Sequence, residues 1–318
     1  MLLRRHPAVA LLFVFALATL VSGCPDEGPV EADAGADATD TSLDDADADV
    51  EQDVTPEITE CNGHADLCDR SFSDVVFPGT HNSMGNAEDG WVAPNQNLPI
   101  GAQLADGVRV FLLDTYEEEG EVLLCHAFCA LGSRPLLDAM EELRDFLVDH
   151  PTEIITIIFE DHIPGPRTVE VLETAGLTDF VYTHDPASPW PTLREMIQAN
   201  TRLVITNESA GPPPAWLHHV WDLGWDTPYS FAAIEEFNCS HNRGTQDGDL
   251  FLLNHWVLDP LPSTTTAQDS NSYDVLMARV QECQDQWDRL PTFIAIDFHD
   301  IGDLFEVVDV LNGLRPPR

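Results

Sequence analysis

From residue 73 to residue 311 the chain repeats one pattern. A run of mostly four to seven strongly apolar residues ends in a polar cluster, and helical spacing commonly follows. Strand-like runs fall at Ser73–Phe77, Val108–Leu113, Val122–Leu124, Glu153–Phe159, Leu203–Thr206, Leu250–Leu253 and Thr292–Phe298. Helical spacing falls at Pro135–Val148, within His162–Ala175, and at Leu193–Ala199, Tyr273–Trp287 and Leu304–Leu311. Strands that are apolar on both faces and separated by helices belong to a parallel sheet covered by its own crossovers. The alternation therefore predicts an α/β chain folded as a single, distorted (β/α)8 TIM barrel, which about 250 residues can form. There is no internal repeat and no GxGxxG after the first strand.

A barrel brings the carboxyl ends of its strands to one rim, where active sites lie. Here those ends carry Thr80-His81-Asn82-Ser83, Asp114 with Tyr116, His126, Glu160-Asp161-His162, Asn207-Glu208, Asn254-His255, and Asp297 with His299 and Asp300. Strand ends always meet polar loops, but seven clusters this rich in imidazole and carboxylate predict a functional rim.

Charge narrows the partners. The chain has 318 residues, 56 Asp plus Glu and 14 basic residues, all arginine, for a net charge of −42. Nucleic acid is set aside, because phosphate backbones are held by Lys and Arg. A polybasic membrane patch is set aside for the same reason. A single phosphodiester remains open, since one local cation neutralises it. The charge is unevenly placed. Residues 1–23 carry Arg4 and Arg5, an apolar run from Ala8 to about Leu20 and then Val21-Ser22-Gly23 before Cys24, the order of a lipoprotein signal peptide. That run is short for a spanning helix. Acylation of Cys24 would attach the protein to a membrane, as an exported lipoprotein of the cell envelope or outer membrane. Residues 24–60 contain 14 acids and no base and read as a disordered tether. Residues 61–318 keep 42 acids against 12 arginines, so the barrel itself is strongly acidic and is expected to be monomeric.

Six cysteines remain after Cys24, an even number in an exported chain, and disulfides are expected. Closeness in sequence favours Cys61 with Cys68 and Cys125 with Cys129, leaving Cys239 with Cys283. The second pair brackets His126.

PGTHNSM at 78–84, GVRVFLLD at 107–114, LLCHAF at 123–128 and IIFEDH ending at His162 resemble the catalytic X domain of the phosphatidylinositol-specific phospholipase C superfamily. The likeness runs in order and spacing over residues 70–315. It implies a distorted TIM barrel that cleaves a phosphodiester by attack of the inositol 2-hydroxyl, giving a cyclic phosphate and diacylglycerol. By the same resemblance His81 and His126 are the two catalytic histidines. Asn82, Asp114 and Glu160 match calcium ligands of the metal-dependent branch. This chain departs from the pattern at Leu112, where the family carries a carboxylate. It also lacks the arginine that the metal-independent branch has at the place of Asp114. The resemblance therefore implies calcium, with magnesium second, or no metal, and leaves room for Glu208 to rebuild the site.

The chemistry agrees with the assignment. Such a reaction needs a base for the hydroxyl, an acid for the leaving alkoxide and a group to bind the growing charge. Histidine suits the first two. A carboxylate that orients His81 improves it as a base, and Asp297, on the strand next to the first in a closed barrel, is preferred to Asp300. Asp114 is the candidate orienter of His126 unless it binds metal. Asn82, Asp114 and Glu160 form a hard oxygen set suited to calcium or magnesium. The parity of Arg109 turns it away from the barrel centre. Trp216, Trp221 and Trp225 line either core or a lipid surface. The other readings are a glycerophosphodiesterase or sphingomyelinase D-like enzyme and a non-catalytic surface lipoprotein on the same scaffold.

Overall fold

The computed structural model describes residues 57–318, one compact unit; the leader, Cys24 and the acidic tether as far as residue 56 lie outside the described residues. Ten strands form one sheet: β1 (Phe77–Thr80), β2 (Val110–Glu118), β3 (Glu121–Leu124), β4 (Arg134–Pro135), β5 (Ile155–Asp161), β6 (Leu203–Asn207), β7 (His218–His219), β8 (Gly224–Asp226), β9 (Leu250–His255) and β10 (Phe293–Ile296). The helices are α1 (Ile100–Asp106), α2 (Leu136–Asp149), α3 (Gly165–Ala175), α4 (Leu193–Gln198), α5 (Val220–Leu223), α6 (Thr264–Ser270), α7 (Tyr273–Trp287) and α8 (Leu304–Leu311).

Eight strands run parallel in the order β7-β6-β5-β2-β1-β10-β9-β8, with no ladder joining the two outermost strands among the described residues. The sheet curls as a distorted, open TIM barrel. Strand alternation divides its core. Phe77, Val110, Ile158, Val204, Leu250, Leu252 and Phe293 face inward and pack with Phe72, Trp190 and Met196, which close the lower end. Phe111, Leu113, Ile155, Ile157, Phe159, Leu203 and Ile205 face outward against α1, α2 and α3. Phe251, Leu253, Ile294 and Ile296 do the same against α7 and α8. Leu112 and Asp114 share the inward parity of Val110, which carries Asp114 into the mouth of the barrel.

The helices Tyr273–Trp287 and Leu304–Leu311 and all the long strands lie where the sequence places them. Several features differ, among them the short helices α1, α5 and α6, which the sequence pattern does not mark. The run Val122–Leu124 is an antiparallel hairpin arm paired with β2, Thr115 opposite Leu124, so His126 reaches the rim from a hairpin and not from a barrel strand. The first strand begins at Phe77, because Phe72–Asp74 forms a 3-10 turn. The strands β7 and β8 have two and three residues and leave no readable period in the sequence. Within β8, Trp225 stacks on Phe251 at 3.9 Å between ring centroids and belongs to the core. Disulfides join Cys61 to Cys68, Cys125 to Cys129 and Cys239 to Cys283, the expected pairs.

Candidate active site

The register of the sheet builds the site. In the β1–β10 ladder Thr80 stands opposite Ile296, so His81 and Asp297 are the next residues on neighbouring strands. His81 Nδ1 lies 2.9 Å from Asp297 Oδ1. The His81 ring stacks on Trp256 at 3.8 Å with 4° between planes, which fixes its rotation. Asp300 instead accepts two hydrogen bonds from Asn97 Nδ2 and does not reach His81.

A second pair stands across the mouth. The β2–β5 ladder sets Asp114 opposite Glu160. His126 Nδ1 lies 2.8 Å from Asp114 Oδ2, with the imidazole 59% exposed and the carboxylate 5% exposed. The hydrogen bond that His126 donates to Asp114 raises the His126 pKa above the usual imidazole value, against the opposing effect of burial. Ala127, at φ 57°, turns the chain within the loop that the Cys125–Cys129 disulfide closes.

A carboxylate-rich group lies next to these pairs. Glu208 follows β6 and its amide donates to Phe159 O, bringing it beside Glu160. Arg243 donates from Nη1 to Glu208 Oε2 at 2.6 Å and from Nη2 to Asp226 Oδ2 at 2.7 Å. Burial, only partly offset by Arg243, raises the Glu208 pKa to about 7.

Asn82, Asp114 and Glu160 fit a calcium ion poorly. Calcium takes six to eight oxygens, more than these three side chains carry. One oxygen of Asp114 is held by His126, and Glu160 Oε1 lies 3.0 Å from His162 Nε2. Asn82 turns its amide nitrogen to Asn95 and lines a different cavity from Asp114. Leu112 lines the cavity of Asp114, where it supplies no ligand.

Two cavities meet at the histidines. A small inner one is lined by Asp114, Glu208, Arg243 and Asn254. A larger outer trough is lined largely by Trp91, Val92, Pro94, Leu131, Leu258 and Leu261, with His126 in its wall. His81, Glu160, Tyr229 and Trp256 form the boundary that both share. The large hydrophobic side chains exposed on the described residues are Val92, Phe128, Leu131, Val148, Tyr229, Leu258 and Leu261. All but Val148 line this trough or sit on the His126 loop, and no lysine or arginine lines the trough. An exposed apolar patch confined to the mouth of a polar site marks a place where apolar matter is met.

The other rim residues are structural or peripheral. His255 is buried, lies 2.8 Å from Ser270 O and is pushed by burial to a pKa of about 3. His299 lies 3.3 Å from Gln96 Oε1 and 3.1 Å from Asp106 Oδ2. Asp161 caps the loop after β6 by accepting from the amides of Ser209 and Ala210. Arg109 faces outward to Glu153, as its parity predicts. Among the three indicated tryptophans, only Trp221 approaches the site, through its stacking on Arg243 at 4.2 Å. Asn95 and Arg243 complete the site from segments without a strand-end signature in the sequence, and Trp256 from the position just past the Asn254-His255 end of β9. Asn95 Nδ2 donates to Asp297 Oδ1 at 3.0 Å and so helps hold the first pair.

The profile of the PI-PLC X family (PI-PLC X 1) matches residues 67–312. A PI-PLC X domain-containing protein of Arabidopsis thaliana is 28% identical over 273 residues, covering 76% of this chain and 62% of its own length. A protein of Arthroderma benhamiae described as an uncharacterized secreted protein is 27% identical, over 80% of this chain and 64% of its own. The chain thus spans somewhat under two thirds of the length of these two relatives. Among solved structures, the phosphatidylinositol-specific phospholipase C of Listeria monocytogenes superposes with a TM-score of 0.50 at 16% identity, covering 77% of this chain and 94% of that one. The Staphylococcus aureus enzyme of the same name superposes with a TM-score of 0.53 at 13% identity, over 76% and 93%. At these identities the likeness is one of fold.

Proposed function

The chain belongs to the PI-PLC X family, and from that membership and the geometry of its rim we propose that it is a phosphodiesterase of the phospholipase C type, acting on phosphatidylinositol or a related lipid diester. The observation that carries the reading is the shared wall. Two histidine–aspartate pairs stand where a polar cavity meets an apolar trough, and a lipid diester has a polar alcohol on one side of its phosphorus and acyl chains on the other.

In this reading His81 is the general base. Asp297 holds its Nδ1–H, leaving Nε2 to accept the proton of the headgroup hydroxyl next to the phosphoester. That oxygen bonds to phosphorus, closing a cyclic phosphodiester, and the bond from phosphorus to the glycerol oxygen breaks. His126, kept protonated by Asp114, delivers its proton to the departing alkoxide, and diacylglycerol leaves through the trough. Water then takes the place of the glycerol oxygen, and the two histidines exchange roles to open the ring. Protonated His126 also offers positive charge to the phosphate. No step passes through a metal, because the donor set fits calcium poorly. Export of the chain is in keeping with the secreted description of the Arthroderma benhamiae relative.

The test is a phosphorus NMR assay of the full chain on phosphatidylinositol in neutral detergent micelles, with added calcium in one sample and chelator in the other. A cyclic phosphate that appears before the acyclic product, at equal rates in both samples, is expected. Activity lost in chelator would restore calcium held by Asn82, Asp114 and Glu160. Release of phosphatidic acid would indicate phospholipase D-like chemistry, and no turnover in either sample would leave the non-catalytic lipoprotein reading.

The exposed rim gives a second expectation. Leu258→Ser with Leu261→Ser removes two apolar side chains, exposed by 44% and 56%, from the lip of the trough. The double variant is expected to lower the rate on micellar lipid about tenfold more than the rate on water-soluble inositol cyclic phosphate, since two rim leucines that enter the lipid only in part contribute less than the roughly 1.5–3 kcal/mol that full burial of each would supply. Equal loss on both substrates would show that the rim acts on the site and not on lipid.

A further inference from the structure

The ladder that carries His81 and Asp297 ends just before them. Thr80 opposite Ile296 is its last pair, and the His81 amide donates the last bond, to Ile296 O at 2.9 Å. Asn82 and Phe298 then take left-handed conformations, at φ 43° and 52°, and both chains leave the sheet. Backbone pairing therefore no longer sets the separation of the two side chains. Asn95 and Gln96, from the connection between β1 and α1, take its place. Gln96 Nε2 donates to His81 O at 2.9 Å and to Ile296 O at 3.1 Å, and its Oε1 accepts from the His299 amide at 3.1 Å. The Asn95 carbonyl accepts from the Phe298 amide at 2.8 Å. The Asn95 side chain donates from Nδ2 to Asp297 Oδ1 at 3.0 Å and accepts on Oδ1 from Asn82 Nδ2 at 3.2 Å. Asn82, Asn95 and Gln96 are all buried.

These side-chain bonds have one polarity. Ionised Asp297 only accepts, so Oδ1 turns the N–H end of Asn95 toward itself. The oxygen end of Asn95 then faces Asn82, which presents its own N–H. Reversing either amide would set two like ends against each other. Asn95 Nδ2 also stands 3.3 Å from His81 Nδ1. A bare Nδ1 would point its lone pair at the carboxylate 2.9 Å away, so the ring proton stays on Nδ1 and the Asn95 hydrogen goes to Asp297. Stacking on Trp256 fixes the plane of the ring but not the site of its proton. We propose that the buried relay Asn82–Asn95–Asp297 fixes the tautomer of His81, holding the proton on Nδ1 and leaving the Nε2 lone pair for the substrate hydroxyl. Asn95 and Asn82 are thus positioning residues, acting on His81 through Asp297. The asparagine that the family resemblance matches to a calcium ligand is here committed to a bond inside the protein. The value of this tautomer to catalysis rests on the proposed function, but the tautomer itself is a property of the resting protein.

Nitrogen NMR of the full chain labelled with 15N-histidine reads the tautomer without requiring turnover. The His81 signals are those missing from His81→Ala, and they are recorded where the ring is neutral. The Nδ1–H form is expected to dominate in the wild type. Asn95→Leu keeps the volume and removes the donor. It is expected to raise the share of the Nε2–H form several-fold and to lower kcat about 10- to 100-fold at unchanged KM, the effect of one hydrogen bond to a charged group. Asn82→Gly, which keeps the left-handed backbone, is expected to shift the tautomer in the same direction by a smaller factor. Calcium is expected to leave the His81 signals in place. A wild-type Nε2–H form, or a tautomer unmoved in folded Asn95→Leu, overturns the relay. If Asn95→Leu does not fold, an unmoved tautomer in Asn82→Gly overturns it instead. Signals that move with calcium in the wild type and not in Asn82→Gly would make Asn82 a ligand and overturn it too. If the tautomer shifts as expected in a protein that turns over no lipid, the relay stands and the reaction falls.

Discussion

His81→Ala and His126→Ala are each expected to lower kcat on phosphatidylinositol by about three to four orders of magnitude, the upper part of the range general acid–base groups supply, while the protein stays folded. At about 1.4 kcal/mol per tenfold this is roughly 4–6 kcal/mol of transition-state stabilisation for each residue. Neither change threatens the fold. The His126 side chain is largely exposed and His81 lies at the mouth, outside the packed layers. The double variant is expected to lose little beyond the single variants, because a base without its acid no longer completes the transfer. The measurement is single-turnover formation of cyclic phosphate, with circular dichroism as the folding control. Wild-type rates in His81→Ala would remove the assignment of His81 as base.

Asp297→Asn is expected to cost about 10²- to 10⁴-fold in kcat, and Asp114→Asn to change the pH profile more than the maximum. Asparagine at 297 offers His81 Nδ1 an N–H donor, which drives the proton to Nε2, where the base needs a lone pair. At the second pair the sign is worked out from the shift. Asp114 raises the His126 pKa, so wild-type His126 holds its proton to higher pH and the alkaline limb of kcat lies above that of an ordinary imidazole. Removing the charge with Asp114→Asn takes away the main cause of the shift, and the alkaline limb moves to lower pH. A pH–rate profile from 5 to 9 on both variants checks this. An alkaline limb that stays in place in Asp114→Asn would mean that another group supplies the proton.

The two pairs differ in how far the sequence revealed them. His81 and Asp297 are 216 positions apart, yet each stands one residue past the end of its strand, so adjacency of the first and last strands brings them together. His126 was visible as a histidine between two cysteines, but the antiparallel arm that brings it to Asp114 read as one more barrel strand. Antiparallel and parallel partners leave the same short apolar run in a sequence, and only the hydrogen-bond direction separates them. Asn95 and Arg243 gave no signal, because each acts from a loop, where no periodicity marks the direction of a side chain.

The sequence by itself determined the alternation of buried strands and covering helices, hence a parallel barrel-like sheet with a polar rim, since burial on both faces leaves its own pattern of apolar runs. It also favoured the disulfide partners by closeness in sequence and set the inward parity of Asp114, which follows from the period of two along a strand. The tertiary structure alone decided that the sheet stays open between β7 and β8, that Arg243 is clamped between Glu208 and Asp226, and that the polar and apolar cavities share a wall at His81. Those depend on register and crossing between segments far apart in the chain, where single-residue differences in length redirect a side chain and composition records nothing.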